Sequence, residues 1–130
     1  MDKQIEEYGY QHMEVWRESL IFSSRVFNCM ENLYSQERTK GILIKIEQAA
    51  MDIPAKIAFG RTMGFGMGYL DAIQEAEGEI QMVLSYLHLL HIQKWIGAYD
   101  LDVLERKGMG LARKMKSLAR IIQRLIDQSA

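Results

Sequence analysis

The sequence predicts an all-α protein that folds as an antiparallel up-down four-helix bundle. Apolar side chains recur at alternating steps of four and three residues through four long segments, which is the spacing of one helix face. No segment alternates between apolar and polar residues over the length of a strand. The chain of 130 residues contains one proline, far below the average usage of about 5%, and this favours long uninterrupted helices.

The chain divides into four segments at breaks near residues 35–39, 60–68 and 97–100. The predicted helices cover residues 13–34, 37–61, 67–96 and 100–128. At 1.5 Å per residue each helix is about 33–43 Å long, and the short connections place consecutive helices side by side. We therefore predict one domain over residues 1–130, with residues 1–12 as a loose N-terminal extension.

The first two helices are predicted from their apolar faces. The face of the first helix consists of Trp16, Leu20, Ser23, Phe27, Met30 and Tyr34. The face of the second helix consists of Ile42, Ile46, Ala49, Ile53, Ile57 and Gly60. Because Pro54 lacks an amide hydrogen and clashes with the carbonyl of Ala50, the second helix is expected to loosen or kink there. The freed carbonyl either belongs to a tolerated kink or marks a functional site.

The last two helices have equally regular apolar faces. The face of the third helix consists of Leu70, Ile73, Glu77, Ile80, Leu84, Leu87 and His91. The face of the fourth helix consists of Leu101, Leu104, Gly108, Leu111, Met115, Leu118, Ile122 and Leu125. Asp100 is a candidate N-cap after the helix breaker Gly97. The small residues Ala49, Gly60 and Gly108 are expected to let neighbouring backbones approach closely.

Composition excludes several classes of protein. Hydrophobic residues make up 48% of the chain and charged residues 25%, a globular mixture that excludes disorder. Cys29 is the only cysteine, so a disulfide scaffold is excluded and a cytoplasmic location is expected. The N-terminus does not resemble a signal peptide, and no window approaches the roughly 20 apolar residues of a membrane span, so no membrane partner is expected.

No motif predicts catalysis, a metal or a cofactor. The Glu-x-x-His motif of metal-binding bundles is absent, and His88 and His91 lack a third ligand. Glu77 is expected to pair with a basic residue of another helix, and Cys29 to behave as a small buried apolar residue. The glycine-rich run at residues 60–68 follows a helix, so we interpret it as a hinge and not as a phosphate loop. The alternative is an enzyme or metal carrier built on His88, His91 and Glu77.

Charge is distributed in two opposed blocks, which the net charge of −1 conceals. Residues 62–93 contain no Lys or Arg, and their acids are Asp71, Glu75, Glu77 and Glu79. Residues 106–126 contain no Asp or Glu, and their bases are Arg106, Lys107, Arg113, Lys114, Lys116, Arg120 and Arg124. These bases are candidate nucleic-acid ligands, because a basic stripe along a helix can follow a phosphate backbone. The alternative is that the two blocks neutralise each other within one subunit or between subunits.

Residues 49–60, which read A-A-M-D-I-P-A-K-I-A-F-G, carry a family resemblance. This segment resembles the hallmark A-A-x-S-I-P-x-N-I-A-E-G of the bacterial four-helix-bundle proteins called 23S ribosomal RNA intervening-sequence proteins. The same pattern fits without a gap through residues 69–78, and also at Glu14-Val15-Trp16 and Trp95-Ile96. The resemblance covers about residues 13–125.

The resemblance implies a left-handed up-down bundle that forms ring-like pentamers and has no known catalytic activity. It also implies an association with RNA, since some members are encoded within inserts of ribosomal RNA genes. A related branch, the accessory proteins of diversity-generating retroelements, resembles the same bundle and acts as a basic partner of a reverse transcriptase and nucleic acid.

The chain departs from the family pattern around the hallmark. Lys56 and Phe59 stand where the family has Asn and Glu, and the basic stretch that often follows is replaced by the apolar, glycine-rich residues 62–68. These changes weaken an RNA site on this side of the bundle. The apolar side chains there instead form a candidate subunit interface at Phe59, Met63, Phe65 and Met67.

We therefore expect a non-enzymatic, cytoplasmic homo-oligomer, most simply a pentamer, that acts as a scaffold or associates with RNA. One alternative is an accessory protein that binds a reverse transcriptase and nucleic acid in a diversity-generating retroelement. Another is a protein-interaction module without nucleic acid. In that module the bases of the fourth helix pair with Asp71, Glu75 and Glu79, and a partner covers residues 59–67.

Overall fold

Four α-helices make up almost all of the protein. The computed structural model describes residues 2–35, 37–64 and 66–129, with the side chains of residues 2–8 and 10 outside the description. The helices are α1 (Asp2–Glu31), α2 (Lys40–Arg61), α3 (Met67–Ile92) and α4 (Ala98–Ser129), with a short 3-10 helix (Glu37–Thr39) before α2. No strand occurs in these ranges. The predicted all-α four-helix bundle is therefore confirmed.

The helices form a closed ring in which each packs against two neighbours. The packed pairs are α1 with α2, α2 with α3, α3 with α4, and α4 with α1. Within the described ranges the backbones of the diagonal pairs, α1 with α3 and α2 with α4, do not approach each other. Helices α3 and α4 run antiparallel, because Glu77 pairs with Lys116 and His88 pairs with Glu105. The outward faces of α2 and α4 therefore point to opposite sides of the bundle.

Helix α1 differs most from its prediction. It begins at Asp2, so residues 2–12 are helical and do not form a loose extension, and it ends at Glu31 instead of residue 34. Its buried face is shifted by one position, since Leu20 is 42% exposed. The buried residues of α1 are His12, Val15, Ser19, Phe22, Ser23, Val26 and Met30. Apolar residues occupy two adjacent stripes of α1, so their spacing alone does not fix which stripe is buried.

Helix α2 stays continuous through Pro54. The carbonyl of Ala50, which has no amide hydrogen four residues later to bind, accepts a hydrogen bond from Ser23 Oγ at 2.6 Å. The predicted loosening is thus compensated by α1, and the interpretation as a tolerated proline is favoured over a functional site. The helix starts at Lys40, later than predicted, because Glu37–Thr39 forms a 3-10 turn.

Small residues bring the helices into close contact, as predicted. A Cβ atom on Gly60 of α2 would lie 2.5 Å from the Cβ of Ala72 and 2.9 Å from the Tyr69 ring on α3. A Cβ on Gly108 of α4 would lie 3.0 Å from Leu84 and 3.1 Å from Phe22. The absence of a side chain at these two positions therefore sets the distances between α2 and α3 and around α4.

The connection from α3 to α4 is reached earlier than predicted. Helix α3 ends at Ile92 instead of residue 96, because Lys94 adopts the left-handed conformation with φ of 64°. The amide of Lys94 donates to the carbonyl of His91, and the amide of Trp95 donates to that of Leu90, both at 2.9 Å. These two bonds form a Schellman motif. Asp100 lies within the first turn of α4, so its prediction as the N-cap is wrong.

Candidate nucleic-acid and assembly surfaces

The outward side of α4 carries the predicted basic residues. Six of the seven are exposed, and Lys114 is half-buried. Arg106, Arg113 and Arg120 are seven residues apart, so they lie along one line of the helix at intervals of about 10.5 Å. Lys116 and Arg124 lie four residues to either side of Arg120 on the same surface. We call this set, without the half-buried Lys114, the α4 basic face: Arg106, Lys107, Arg113, Lys116, Arg120 and Arg124.

Lys114 is directed at α1 and not at solvent. Its Nζ lies 2.7 Å from a carboxylate oxygen of Glu14 and 2.6 Å from one of Glu18. The hydrogen bonds to Glu14 and Glu18 raise the pKa of Lys114 above its usual value. Lys114 therefore holds α4 against α1, and we remove it from the candidate nucleic-acid ligands.

Two further bases have acidic partners. Lys116 lies 3.4 Å from Glu77 of α3, which confirms the predicted pairing of Glu77 with a base on another helix. Arg106 lies 3.2 Å from Asp102, one turn earlier on α4. Both bases are well exposed, so these ion pairs are screened by water and reduce the positive potential only in part.

The remaining bases of the α4 basic face make no ion pair with any residue whose side chain is described. They are Lys107, Arg113, Arg120 and Arg124. Arg120 Nη2 contacts a neutral group, Ser117 Oγ, at 3.1 Å. Four positive charges therefore stand on one exposed helix side without a described counter-charge.

The acidic block of α3 pairs with a different helix from the one proposed in the neutralisation alternative. Glu75 and Glu79 lie 3.8 Å and 3.2 Å from Nζ of Lys56 on α2. The expected pairing of these two acids with α4 is therefore wrong. These acids lie on the flank of α3 that packs against α2, whereas Glu77 lies on the flank beside α4.

The predicted apolar patch lies at the corner where α2 leads into α3. Phe59, Met63 and Met67 are 64%, 50% and 55% exposed. Phe65, the fourth residue of the predicted interface, lies outside the described residues. Three large apolar side chains thus stand in solvent at one end of the α2–α3 pair, as expected of a contact surface.

A second uncharged surface runs along α2. Seven exposed positions repeat at steps of three and four residues on the side of α2 opposite its buried face. We call this surface the outer α2 face: Gly41, Ile44, Gln48, Met51, Ala55, Ala58 and Thr62. It spans about 32 Å and includes no charged residue. Sequence reasoning missed it, although its signal is the same spacing read in a second register.

The residues of the enzyme alternative lie apart. His88 Nε2 is 3.2 Å from a carboxylate oxygen of Glu105, His91 Nδ1 is 3.1 Å from the carbonyl of Ile96, and Glu77 binds Lys116. In the described part of the chain no group of three or more His, Cys, Asp or Glu is placed to hold a metal ion.

Cys29 is half-buried on α1. Burial, with a smaller contribution from the charge of Asp100, raises the pKa of its thiol to about 11. The sulfur is therefore protonated at neutral pH and a weak nucleophile.

The helices were also compared with membrane spans, and the chain with known proteins. Among the described residues no helix is both long and apolar enough to cross a membrane. Comparison of the chain with family models, curated proteins and solved structures finds no match.

Proposed function

We propose that the protein is a non-enzymatic, self-associating four-helix bundle that binds RNA through the α4 basic face. The resemblance of residues 49–60 to the 23S ribosomal RNA intervening-sequence proteins supports this proposal and favours a cytoplasmic pentamer. The role is that of a scaffold, in which assembly repeats one RNA-binding surface several times.

One observation carries the proposal: the uncharged and the basic surfaces lie on opposite sides of the bundle. The outer α2 face and the α4 basic face each lie opposite the buried side of their own helix. Because α2 and α4 are diagonal in the ring, contacts made through α2 leave α4 open to solvent. Subunits joined through α2 therefore present their bases outward, where a polyanion can reach them.

The outer α2 face supports self-association. Ile44 and Met51 are about half exposed, and Ala55 and Ala58 add a flat strip where another backbone can approach. At one end this strip is adjacent to Phe59 and Met63. A continuous apolar strip of this length is typical of a helix that packs against another subunit.

The α4 basic face supports binding to a nucleic-acid backbone. Arginine donates to two phosphate oxygens at once and keeps its charge at every physiological pH. A straight row of such side chains contacts phosphates without reading bases, so the expected binding has low sequence preference.

Self-association is tested by placing a charge on the outer α2 face. Ala58→Arg adds a buried charge to the proposed contact and is expected to lower the particle mass measured by light scattering at micromolar concentration. Ser24→Arg, at an exposed position of α1, is the matched control and keeps the mass of the wild type. A wild-type protein that is monomeric at this concentration contradicts the assembly.

RNA binding is tested by charge reversal on α4. The triple variant Arg113→Glu, Arg120→Glu and Arg124→Glu is expected to lose at least tenfold in RNA affinity at low salt, with a smaller salt dependence (about 0.7 per lost phosphate contact on a single strand). Its control carries the same charge change elsewhere, as Arg17→Glu, Arg38→Glu and Lys40→Glu, and retains affinity. Equal affinity of the two variants contradicts the α4 site and favours the protein-interaction alternative.

A further inference from the structure

Tyr99, in the first turn of α4, has an unusually exposed aromatic ring. Its side chain is 80% exposed, more than any other large apolar or aromatic side chain in the described part of the protein. An aromatic ring in water gains free energy when a flat apolar surface covers it.

Tyr99 lies in line with the α4 basic face. It precedes Arg106 by seven residues, as Arg106 precedes Arg113 and Arg113 precedes Arg120. The ring therefore extends the row of arginines by one interval of about 10.5 Å on the same side of the helix. An aromatic ring at the end of a row of cations is the arrangement that single-stranded nucleic acid requires, with phosphates on the cations and a base on the ring.

Two open grooves meet at Tyr99. The groove between α1 and α4 has a volume of about 380 Å³, and its polar lining residues on α1 are Arg25, Asn28 and Asn32. The groove along α4 has a volume of about 470 Å³ and is lined by Asp102, Val103, Arg106 and Lys107 beside the ring. Both volumes suit a flat group of the size of one nucleotide base.

The polar groups around the ring match the chemistry of a nucleotide. The amides of Asn28 and Asn32 both donate and accept hydrogen bonds, as the edge of a base does. Arg25 and Lys107 supply positive charge for the adjoining phosphates. Asp102 is already paired with Arg106 at 3.2 Å, which reduces its repulsion of a phosphate.

We propose that Tyr99 stacks against one unpaired base of an RNA single strand whose backbone follows the α4 basic face. This inference rests on the RNA binding proposed above and adds to it a preference for single strands. A base in a duplex is covered by its neighbours, so only an unpaired base offers its face to the ring.

The test compares Tyr99→Ala with Tyr99→Phe on two probes, a single-stranded RNA and a duplex RNA of equal length. The expected result for Tyr99→Ala is a loss of about tenfold in affinity for the single strand, with duplex affinity and salt dependence unchanged. Tyr99→Phe keeps the ring and retains the affinity of the wild type. A 2-aminopurine base in the single strand is quenched by the wild type and by Tyr99→Phe, but not by Tyr99→Ala.

Failure of this inference is distinguishable from failure of the proposed function. If the Arg113, Arg120 and Arg124 triple variant loses affinity while Tyr99→Ala binds both probes like the wild type, the stacking site is overturned and the RNA-binding function stands. If the wild type binds neither probe, both are overturned. A lower particle mass for Tyr99→Ala, without a change in RNA affinity, assigns the ring to a subunit contact and also overturns the stacking site.

Discussion

Ser23 of α1 donates a hydrogen bond to the backbone carbonyl of Ala50 on α2, with 2.6 Å between Oγ and the carbonyl oxygen. Ala50 lies four residues before Pro54, and a proline has no amide hydrogen to offer that carbonyl. Both Ser23 and Ala50 are buried, so water does not replace the missing donor. The hydroxyl of one helix therefore compensates for the proline of its neighbour.

The first prediction concerns this compensation. Ser23→Ala leaves the Ala50 carbonyl without a donor and is expected to lower the free energy of unfolding by about 1–3 kcal/mol. The measurement is urea denaturation followed by circular dichroism, with the denaturation midpoint compared at constant slope.

A double-mutant cycle with Pro54→Ala identifies the cause. Alanine at position 54 restores an amide hydrogen to bind the Ala50 carbonyl, so Ser23→Ala is expected to cost about 1 kcal/mol less in that background. If Ser23→Ala costs the same with Pro54 and with Ala at position 54, the hydroxyl stabilises the fold by another contact.

Much of the fold follows from the sequence, because an amphipathic helix records its buried side in its spacing. The predicted faces of α2 and α4 agree with the buried residues at nearly every position, including Gly60 and Gly108. The face of α1 does not, since Leu20 and Phe22 belong to two adjacent apolar stripes. Only packing against α2 and α4 decides between such stripes, and that information is not local.

The candidate surfaces follow from the sequence only in part. The bases of α4 are visible as a charge block, but their partners depend on which helix is adjacent. Lys114 binds α1, and the acids Glu75 and Glu79 bind Lys56 of α2. Tyr99 is one of six tyrosines, and nothing in its local sequence distinguishes it. Its exposure depends on where α1 and α4 diverge, which is a property of the assembled bundle.

The second prediction concerns Gly60. Alanine favours a helix over glycine by about 1 kcal/mol, so Gly60→Ala would stabilise an isolated helix. In the bundle the new Cβ would lie 2.5 Å from the Cβ of Ala72, which belongs to a buried helix and does not yield easily. We expect Gly60→Ala to lower the free energy of unfolding by about 1–3 kcal/mol in urea denaturation.

Gly78 of α3 provides the matched control. It is exposed, and a Cβ there meets no described atom within 4 Å outside its own helix backbone. Gly78→Ala is therefore expected to raise the free energy of unfolding by about 0.5–1 kcal/mol. A stabilising effect at both positions shows that α2 and α3 separate readily, contrary to the close contact at Gly60.

The third prediction concerns pH and the buried His12. Its Nδ1 is hydrogen-bonded to the hydroxyl of Tyr69, and the two rings meet edge to face with centroids 5.6 Å apart. Burial, and then the charge of Arg61, lowers the pKa of His12 below its usual value of 6.5. Between the lowered pKa and 6.5 the unfolded chain binds a proton that the folded chain does not. Stability is therefore complete above pH 6.5 and decreases as the pH falls below it.

The measurement is the free energy of unfolding in urea between pH 7.5 and pH 5. One proton changes it by at most about 1.4 kcal/mol per pH unit, and His12→Gln is expected to remove that share of the slope. His88→Gln, at an exposed histidine, is the control and leaves the slope unchanged. A slope that His12→Gln does not alter assigns the pH dependence to other groups.

The fourth prediction concerns the end of α3. Lys94 has a φ of 64°, where an L side chain costs about 1–2 kcal/mol and glycine costs nothing. Glycine also has more freedom in the unfolded chain, which returns about 0.5–1 kcal/mol, so Lys94→Gly is expected to stabilise the protein by about 0.5–1 kcal/mol. Gln93→Gly, one residue earlier at φ of −76°, gains no relief and is expected to destabilise. Opposite signs at adjacent positions, read from thermal or urea unfolding, identify the left-handed residue as the helix stop, whereas equal signs contradict it.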